Sequence, residues 1–101
     1  MSLPKLYQWM TDNYPELMKA VEDLGKAAGQ GPLDNKTSQL IQLAAAVAGN
    51  SEGAVHSHAR RAIEAGAAPE EVRHAVLLLA STLGFPTAAR AMSWVNDVLG
   101  E

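Results

Sequence analysis

The chain has 101 residues, of which 48% are hydrophobic and 19% are charged, with a formal net charge of −3 and no cysteine. A chain of this length is expected to form one domain, residues 1–101, with a modest core. The excess of acidic groups offers no basic surface for phosphates, so the composition disfavours nucleic-acid binding. The absence of cysteine excludes disulfides, thiolate metal sites and thiol nucleophiles.

The sequence carries no recognisable targeting or membrane signal. Residues 1–5 lack the basic and apolar pattern of a secretory signal. The longest apolar run, residues 43–49, is far shorter than the ~20 residues that a membrane-spanning helix needs. We therefore expect a soluble, cytoplasmic protein without membrane contact.

Apolar residues recur at helical spacing through the first half of the chain. A short first helix is predicted to end near residues 13–14, because the residue before Pro15 is pushed out of the helical region. Pro15 suits the first turn of a second helix. A third helix is predicted to start after residues 34–35 and to end at residues 49–50, where Gly and Asn are typical of a helix C-terminus.

The second half of the chain predicts three more helices. Ser51 is a candidate N-cap for a fourth helix that runs to Ala65, and Gly66 is typical of the position just past a helix end. Pro69 and two acids open a fifth helix. The sequence at residues 84–86 breaks it, and a final helix follows.

These patterns predict an all-α fold of about six helices, because no alternating β-branched run is long enough for a strand. The apolar stripes are rich in alanine. Small side chains bury little area, and at ~25 cal/mol per Å² an alanine-lined core is weak alone. We therefore expect the subunits to associate.

His58 is the first candidate for chemistry. On the fourth helix it shares an apolar face with Val55 and Ala59, whereas His56 and Arg60 lie on a more polar face. A histidine on an apolar face can transfer protons, because burial and neighbours move its pKa around neutrality. The alternative is a core histidine that is hydrogen-bonded to a carbonyl or carboxylate group.

Neither a metal site nor a cofactor is expected. His56 and His58 lie about 200° apart around a helix axis, so they do not share one ion. A metal would need ligands from different helices or subunits. The sequence also lacks a GxSxG nucleophile elbow and a phosphate-binding P-loop.

Four segments occur in a characteristic order along the chain: SQLIQLA at 38–44, HARRA at 58–62, AGAAPEEV at 65–72 and GFPTAA at 84–89. With these segments, the chain from residue 37 to residue 99 resembles the superfamily of carboxymuconolactone decarboxylase and alkylhydroperoxidase D. The resemblance implies an all-helical subunit that forms trimers or hexamers, with pockets near the helix that carries His58.

The chain lacks the groups that perform the chemistry of the superfamily's peroxidase branch. In that branch a CxxC pair ends four residues before the histidine, and a glutamate lies twelve residues before the first cysteine. These positions fall on Ser51, Ala54 and Gln39 in this chain. Dithiol peroxidase or reductase chemistry needs two thiols, so this activity is excluded here.

The decarboxylase branch of the superfamily is the closer match. The resemblance implies an Arg-Glu pair near positions 51 and 52 followed by the histidine, and this chain keeps Glu52 and His58 but has Ser51 for the arginine. The substrate of the decarboxylase branch is therefore not assigned to this chain.

Two hypotheses follow for the function. The first is a lyase or isomerase of a small carboxylate or lactone, since such reactions develop enolate charge that needs a clamp and a proton. His58 would donate the proton, Glu52 would orient it or act as a partner base, and Arg60 or Arg61 would hold the carboxylate. His56 and Gln39 complete the candidate substrate-binding set.

The second hypothesis is an oligomeric helical scaffold that binds a ligand or partner without catalysis. Its motivation is that the three family positions at Gln39, Ser51 and Ala54 have all changed, whereas the helical stripes remain.

Overall fold

The computed structural model describes residues 4–100, and within this range all regular structure is helical. The predicted all-α class is confirmed. The helices in chain order are α1 (Lys5–Asn13), α2 (Pro15–Ala28), α3 (Asn35–Ala48), α4 (Glu52–Glu64), α5 (Pro69–Leu77), α6 (Ala80–Leu83) and α7 (Phe85–Leu99).

The chain groups into two compact units, Met1–Pro32 and Leu33–Glu101. In the first unit, α1 ends at Asn13 and α2 begins at Pro15, as the proline predicts. Neither helix contains a buried residue. The prediction of a single domain over residues 1–101 stays a prediction.

The second unit contains the hydrophobic core, which α3, α4, α5 and α7 share. α4 contributes Val55, Ala59 and Ala62, which are all 0% exposed and recur at intervals of four and three residues along one face. The core side chains are small, and its fully buried large members are Leu43, Val47, Val55, Val72, Val76 and Val95. The predicted alanine-rich stripes of α4 and α7 are thus buried, whereas the predicted stripe of α2 is exposed.

Helix ends follow the predicted local chemistry. The Asp34 carboxylate accepts a hydrogen bond from the backbone N–H of Thr37 at 2.7 Å and caps α3. Ser51 Oγ accepts one from Ala54 N–H at 3.4 Å at the start of α4. Gly66 has a φ of +102°, a left-handed conformation that glycine adopts without steric cost after a helix.

The fifth predicted helix is divided in two. The backbone N–H of Leu79 bonds to the carbonyl of Val76, three residues back, where a continuous α-helix would use the residue four back. This tight turn separates α5 from the four-residue α6. Gly84, with a φ of +94°, then separates α6 from α7.

Within residues 4–100, no helix is both long enough and apolar enough to cross a lipid bilayer.

The core makes a direct stability prediction at Leu43. Leu43→Ala removes a side chain that is 0% exposed, so we expect the free energy of unfolding to fall by about 2–5 kcal/mol. Ile41→Ala on the same helix is the control, because Ile41 is 52% exposed, and its effect should be much smaller. Urea denaturation followed by circular dichroism measures both. Equal effects of the two substitutions would contradict this description of the core.

Candidate functional site

α4 sets the direction of both candidate histidines. Its buried face packs through Val55 and Ala59, which leaves His56 and His58 half-buried on different sides of that face. His58 reaches α3, whereas His56 reaches α7. The two rings therefore belong to separate groups of side chains, as their spacing predicts.

His58 is held by Gln39 of α3. The distance between His58 Nδ1 and Gln39 Oε1 is 2.8 Å. An amide oxygen only accepts hydrogen bonds, so Nδ1 carries the proton and donates it. In the neutral ring this leaves Nε2 unprotonated, with a lone pair that can accept a proton or a hydrogen bond.

The surroundings of His58 favour the neutral ring. Burial lowers the pKa of His58 from its ordinary value of 6.5, and the positive charge of Arg61 lowers it further. Desolvation and a nearby cation both penalise the imidazolium form. His58 is consequently suited to accept a proton at neutral pH.

An open cavity of about 380 Å³ lies where α3 meets the end of α4. Gln39 and Arg61 line it. The cavity therefore includes the residue that is hydrogen-bonded to His58 and the arginine that lowers the pKa of His58. The full lining consists of Asn35, Gln39, Arg61, Glu64 and Ala65. Its polar groups are suited to a small ligand that carries a carboxylate or carbonyl oxygen.

Glu52 does not contact the group formed by Gln39, His58 and Arg61, which we call the cavity group. Its carboxylate lies 4.0 Å from His56 Nε2, one helical turn along α4, and His56 Nε2 lies 2.9 Å from Asp97 Oδ2 of α7. Gln39, and not Glu52, makes the hydrogen bond to the His58 ring. The structure thus brings together Gln39, His58 and Arg61 of the predicted site, and it places Glu52 and His56 in a second group.

The remaining predicted positions are also located. Arg60 is half-buried on α4, and its guanidinium group makes no hydrogen bond or ion pair with the residues 4–100 that the structure describes. Ser51 and Ala54, which the resemblance aligns with the cysteines of the peroxidase branch, serve the fold: Ser51 caps α4, and Ala54 packs against the core.

Sequence reasoning missed Asn35, Glu64 and Asp97. Asn35 and Glu64 line the cavity at the two helix ends that meet there. Glu64 lies three residues after Arg61, a helical spacing that could have suggested it. Asp97 is 41 positions from His56, and no local pattern could have paired them.

A second, mostly apolar groove of about 370 Å³ lies between α3 and α5. The polar residue Glu71 lines it and forms an ion pair with Lys36 of α3 at 3.0 Å. A hydrogen bond from the Ala68 backbone N–H lowers the pKa of Glu71, and the contact with Lys36 lowers it further. We interpret the pair as a helix-to-helix contact.

The fold and the contact between His58 and Gln39 define an all-helical protein with a polar cavity beside α4. The carboxymuconolactone decarboxylase family profile matches residues 15–97. The chain belongs to this family, which confirms the resemblance found in the sequence.

Two uncharacterized proteins are similar to this chain in sequence. An uncharacterized protein of Methanocaldococcus jannaschii is 30% identical over 90 residues, which cover 88% of this chain and 84% of that protein. An uncharacterized protein of Haemophilus influenzae is 44% identical over 50 residues, which are 48% of this chain and 44% of that protein.

A solved structure shares the fold. The crystal structure of a protein of Burkholderia xenovorans LB400, assigned as a carboxymuconolactone decarboxylase, superposes with a TM-score of 0.69 at 20% identity. The match covers 95% of this chain and 79% of that chain.

The lowered pKa of His58 predicts a pH dependence of stability. As pH falls through 6.5, the unfolded chain takes up a proton at His58 that the folded chain does not yet bind, so the free energy of unfolding should decrease. This loss should continue until the pH reaches the folded pKa. The carboxyl groups of Asp34 and Glu71 act in a lower window, because folding lowers pKa values that ordinarily lie at 3.8 and 4.5.

We expect His58→Asn to flatten the decrease in stability between pH 7.5 and pH 5, because asparagine does not titrate but keeps an N–H donor for Gln39. His74→Asn, at an exposed histidine of α5, is the matched control and should retain the wild-type slope. Thermal unfolding at a series of pH values measures both. A His58→Asn slope equal to that of the wild type would show that the ring titrates alike in the folded and unfolded chains.

Proposed function

We propose that this protein binds a small carboxylate or lactone beside α4 and transfers a proton within it, with Nε2 of His58 as the acid–base group. The hydrogen bond between His58 Nδ1 and Gln39 carries this proposal. It fixes the ring and its neutral tautomer, and a fixed lone pair on Nε2 is what a general base requires.

The reaction that fits these groups is an isomerisation beside a carbonyl group. Nε2 of His58 takes a proton from a carbon next to the carbonyl, and the electron pair of the broken C–H bond moves to the carbonyl oxygen as an enolate. The resulting imidazolium then returns the proton to another carbon of the same system. Arg61, whose charge already acts on His58, would stabilise the enolate or hold a carboxylate.

A lyase reaction makes a different demand on His58. Loss of carbon dioxide leaves an enolate that needs a proton, so His58 would have to be charged before the reaction begins. The burial and the nearby cation that lower its pKa oppose that starting state. We therefore favour the isomerase over the lyase, and we assign proton donation by His58 to the second half of the cycle.

Ligand binding without turnover is the second candidate function. Among the described residues, no carboxylate group forms a hydrogen bond with His58, because Glu52 faces His56 instead. A ring held by a neutral amide can also serve only to recognise a ligand. The chain contains no cysteine, so the dithiol chemistry of the peroxidase branch does not enter either candidate.

We also propose that the subunits form the trimer or hexamer that the family resemblance implies. α2 displays an apolar stripe in which Leu17, Val21 and Leu24 are 53%, 49% and 69% exposed. Apolar side chains at this spacing along a helix are typical of a surface that another helix covers.

The binding proposal predicts different effects for the two adjacent arginines. Arg61→Gln should weaken the binding of a small carboxylate at least tenfold, because a charged hydrogen bond contributes about 1.5–3 kcal/mol. Arg60→Gln should bind with nearly the wild-type affinity, because Arg60 does not line the cavity. A thermal-shift screen of small carboxylates and lactones finds the ligand, and calorimetry then measures its affinity. Equal losses in the two variants would contradict the assignment of Arg61.

Turnover is tested with the ligands that bind. In D₂O, wild-type protein should exchange the proton next to the carbonyl for deuterium, and His58→Asn should slow this exchange at least a hundredfold, the usual contribution of a general base. Nuclear magnetic resonance of the ligand follows the exchange. Binding that depends on Arg61 but occurs without any exchange would favour the second candidate function.

The assembly proposal predicts the mass in solution. Light scattering at micromolar concentrations should give three or six times the subunit mass of 10.7 kDa. Val21→Glu on the exposed stripe of α2 should lower that mass, because association would bury the charge. A wild-type mass of 10.7 kDa at all concentrations would refute the proposal.

A further inference from the structure

Three potential metal ligands meet on the side of α4 opposite to the cavity group. A carboxylate oxygen of Glu52, a ring nitrogen of His56 and a carboxylate oxygen of Asp97 all lie within 4.8 Å of one another. From these residues we propose that the protein binds a divalent transition-metal ion, such as Zn²⁺, between α4 and α7. This site is independent of His58 and of the function proposed above.

The distances suit one ion. Ligand atoms at the usual zinc distances of about 2.0–2.2 Å lie roughly 3.4 Å from one another in a tetrahedron. The separation between His56 Nε2 and Asp97 Oδ2 is 2.9 Å, and that between His56 Nε2 and Glu52 Oε2 is 4.0 Å. Both values are within about 0.6 Å of the tetrahedral separation, and the carboxylate oxygens of Glu52 and Asp97 lie within 4.8 Å of each other, so rotations of these two exposed side chains can complete the geometry.

The backbone that carries the three ligands is well anchored. Glu52 and His56 are one helical turn apart on α4, the spacing that places two side chains on one face. The residue before His56 in the sequence is Val55, and Val95 lies two residues before Asp97. Both valines are 0% exposed. The donors therefore converge before any ion binds, which reduces the entropy that binding must overcome.

The last turn of α7 is held from a second direction. Arg73 of α5 donates hydrogen bonds to Asn96 Oδ1 at 3.0 Å and to the carbonyl oxygen of Gly100 at 2.8 Å. These bonds flank Asp97 on both sides in the sequence. The end of the helix that supplies the third ligand is thus fixed to the core unit.

The donor set selects the class of ion. Two carboxylates and one neutral imidazole balance a charge of +2, and an imidazole ligand favours zinc, nickel or cobalt over magnesium or calcium. Three protein ligands leave at least one position for water. Both carboxylates are exposed, so an ion can enter from solvent and a chelator can remove it.

Without a metal, the same three groups form a hydrogen-bonded cluster, in which Nε2 of His56 contacts Asp97 Oδ2. A metal on Nε2 needs the lone pair of that nitrogen, so the neutral ring then carries its one N–H hydrogen on Nδ1. A metal site and a cluster without one give different results when zinc is added. Only a metal site binds the ion more weakly after the loss of any one of the three side chains, and this loss can be measured.

The test is a titration of the chelator-treated protein with ZnSO₄ near neutral pH, followed by calorimetry and by the melting temperature. We expect one ion per chain and a rise in melting temperature that EDTA reverses. Asp97→Asn and His56→Ala should each raise the dissociation constant at least tenfold. With Co²⁺, visible absorption bands should appear in the wild type and weaken in both variants.

Matched controls separate this site from general binding to histidine. His74→Ala removes an exposed histidine outside the cluster and should bind zinc like the wild type, and so should His58→Asn. Circular dichroism verifies the fold of each variant. The proposal is overturned if wild-type protein binds no zinc at 1 mM, if His56→Ala and Asp97→Asn bind as tightly as the wild type, or if affinity is lost instead in His74→Ala or His58→Asn.

Discussion

The close packing of α4 against its neighbours through small side chains governs the rest of the structure. Ala59 and Ala62 of α4 are 0% exposed, and Ala91 of α7 is 1% exposed. Where side chains are this short, helix axes approach closely, and rotating one helix would bring larger residues into contact with the other backbone. The rotation of α4 is therefore fixed, and with it the directions of His56 and His58.

Local chemistry made much of the fold predictable. The caps at Asp34 and Ser51 and the proline at the start of α5 mark helix starts through interactions among residues at most three positions apart. The division between α5 and α6 was not predictable in this way. The bond from Leu79 N–H to the Val76 carbonyl lies in a run of leucines at residues 77–79, which are strong helix formers, so no residue there signals a break.

The candidate site was predictable only in part. Helical period placed His58 on the inner side of α4, and the family resemblance pointed to Gln39. The expected pairing of Glu52 with His58 could have been questioned from the sequence, since six residues amount to about 240° around a helix axis. The contact between His56 and Asp97 depends on how α4 and α7 pack, and this is tertiary information.

The serine cap of α4 has a consequence for substitutions in this chain. The family resemblance aligns Ser51 and Ala54 with the cysteines of the peroxidase branch; in this chain Ser51 caps the helix and Ala54 packs against the core. A substitution that introduces either thiol alone would disturb a structural role and gain no chemistry, because a redox pair needs both sulfurs. A glutamate in place of Gln39 would add a negative charge beside His58 and favour its protonated form. No single substitution therefore gives this chain a redox pair, and introducing both sulfurs would alter the N-cap of α4 and a contact with the core at the same time.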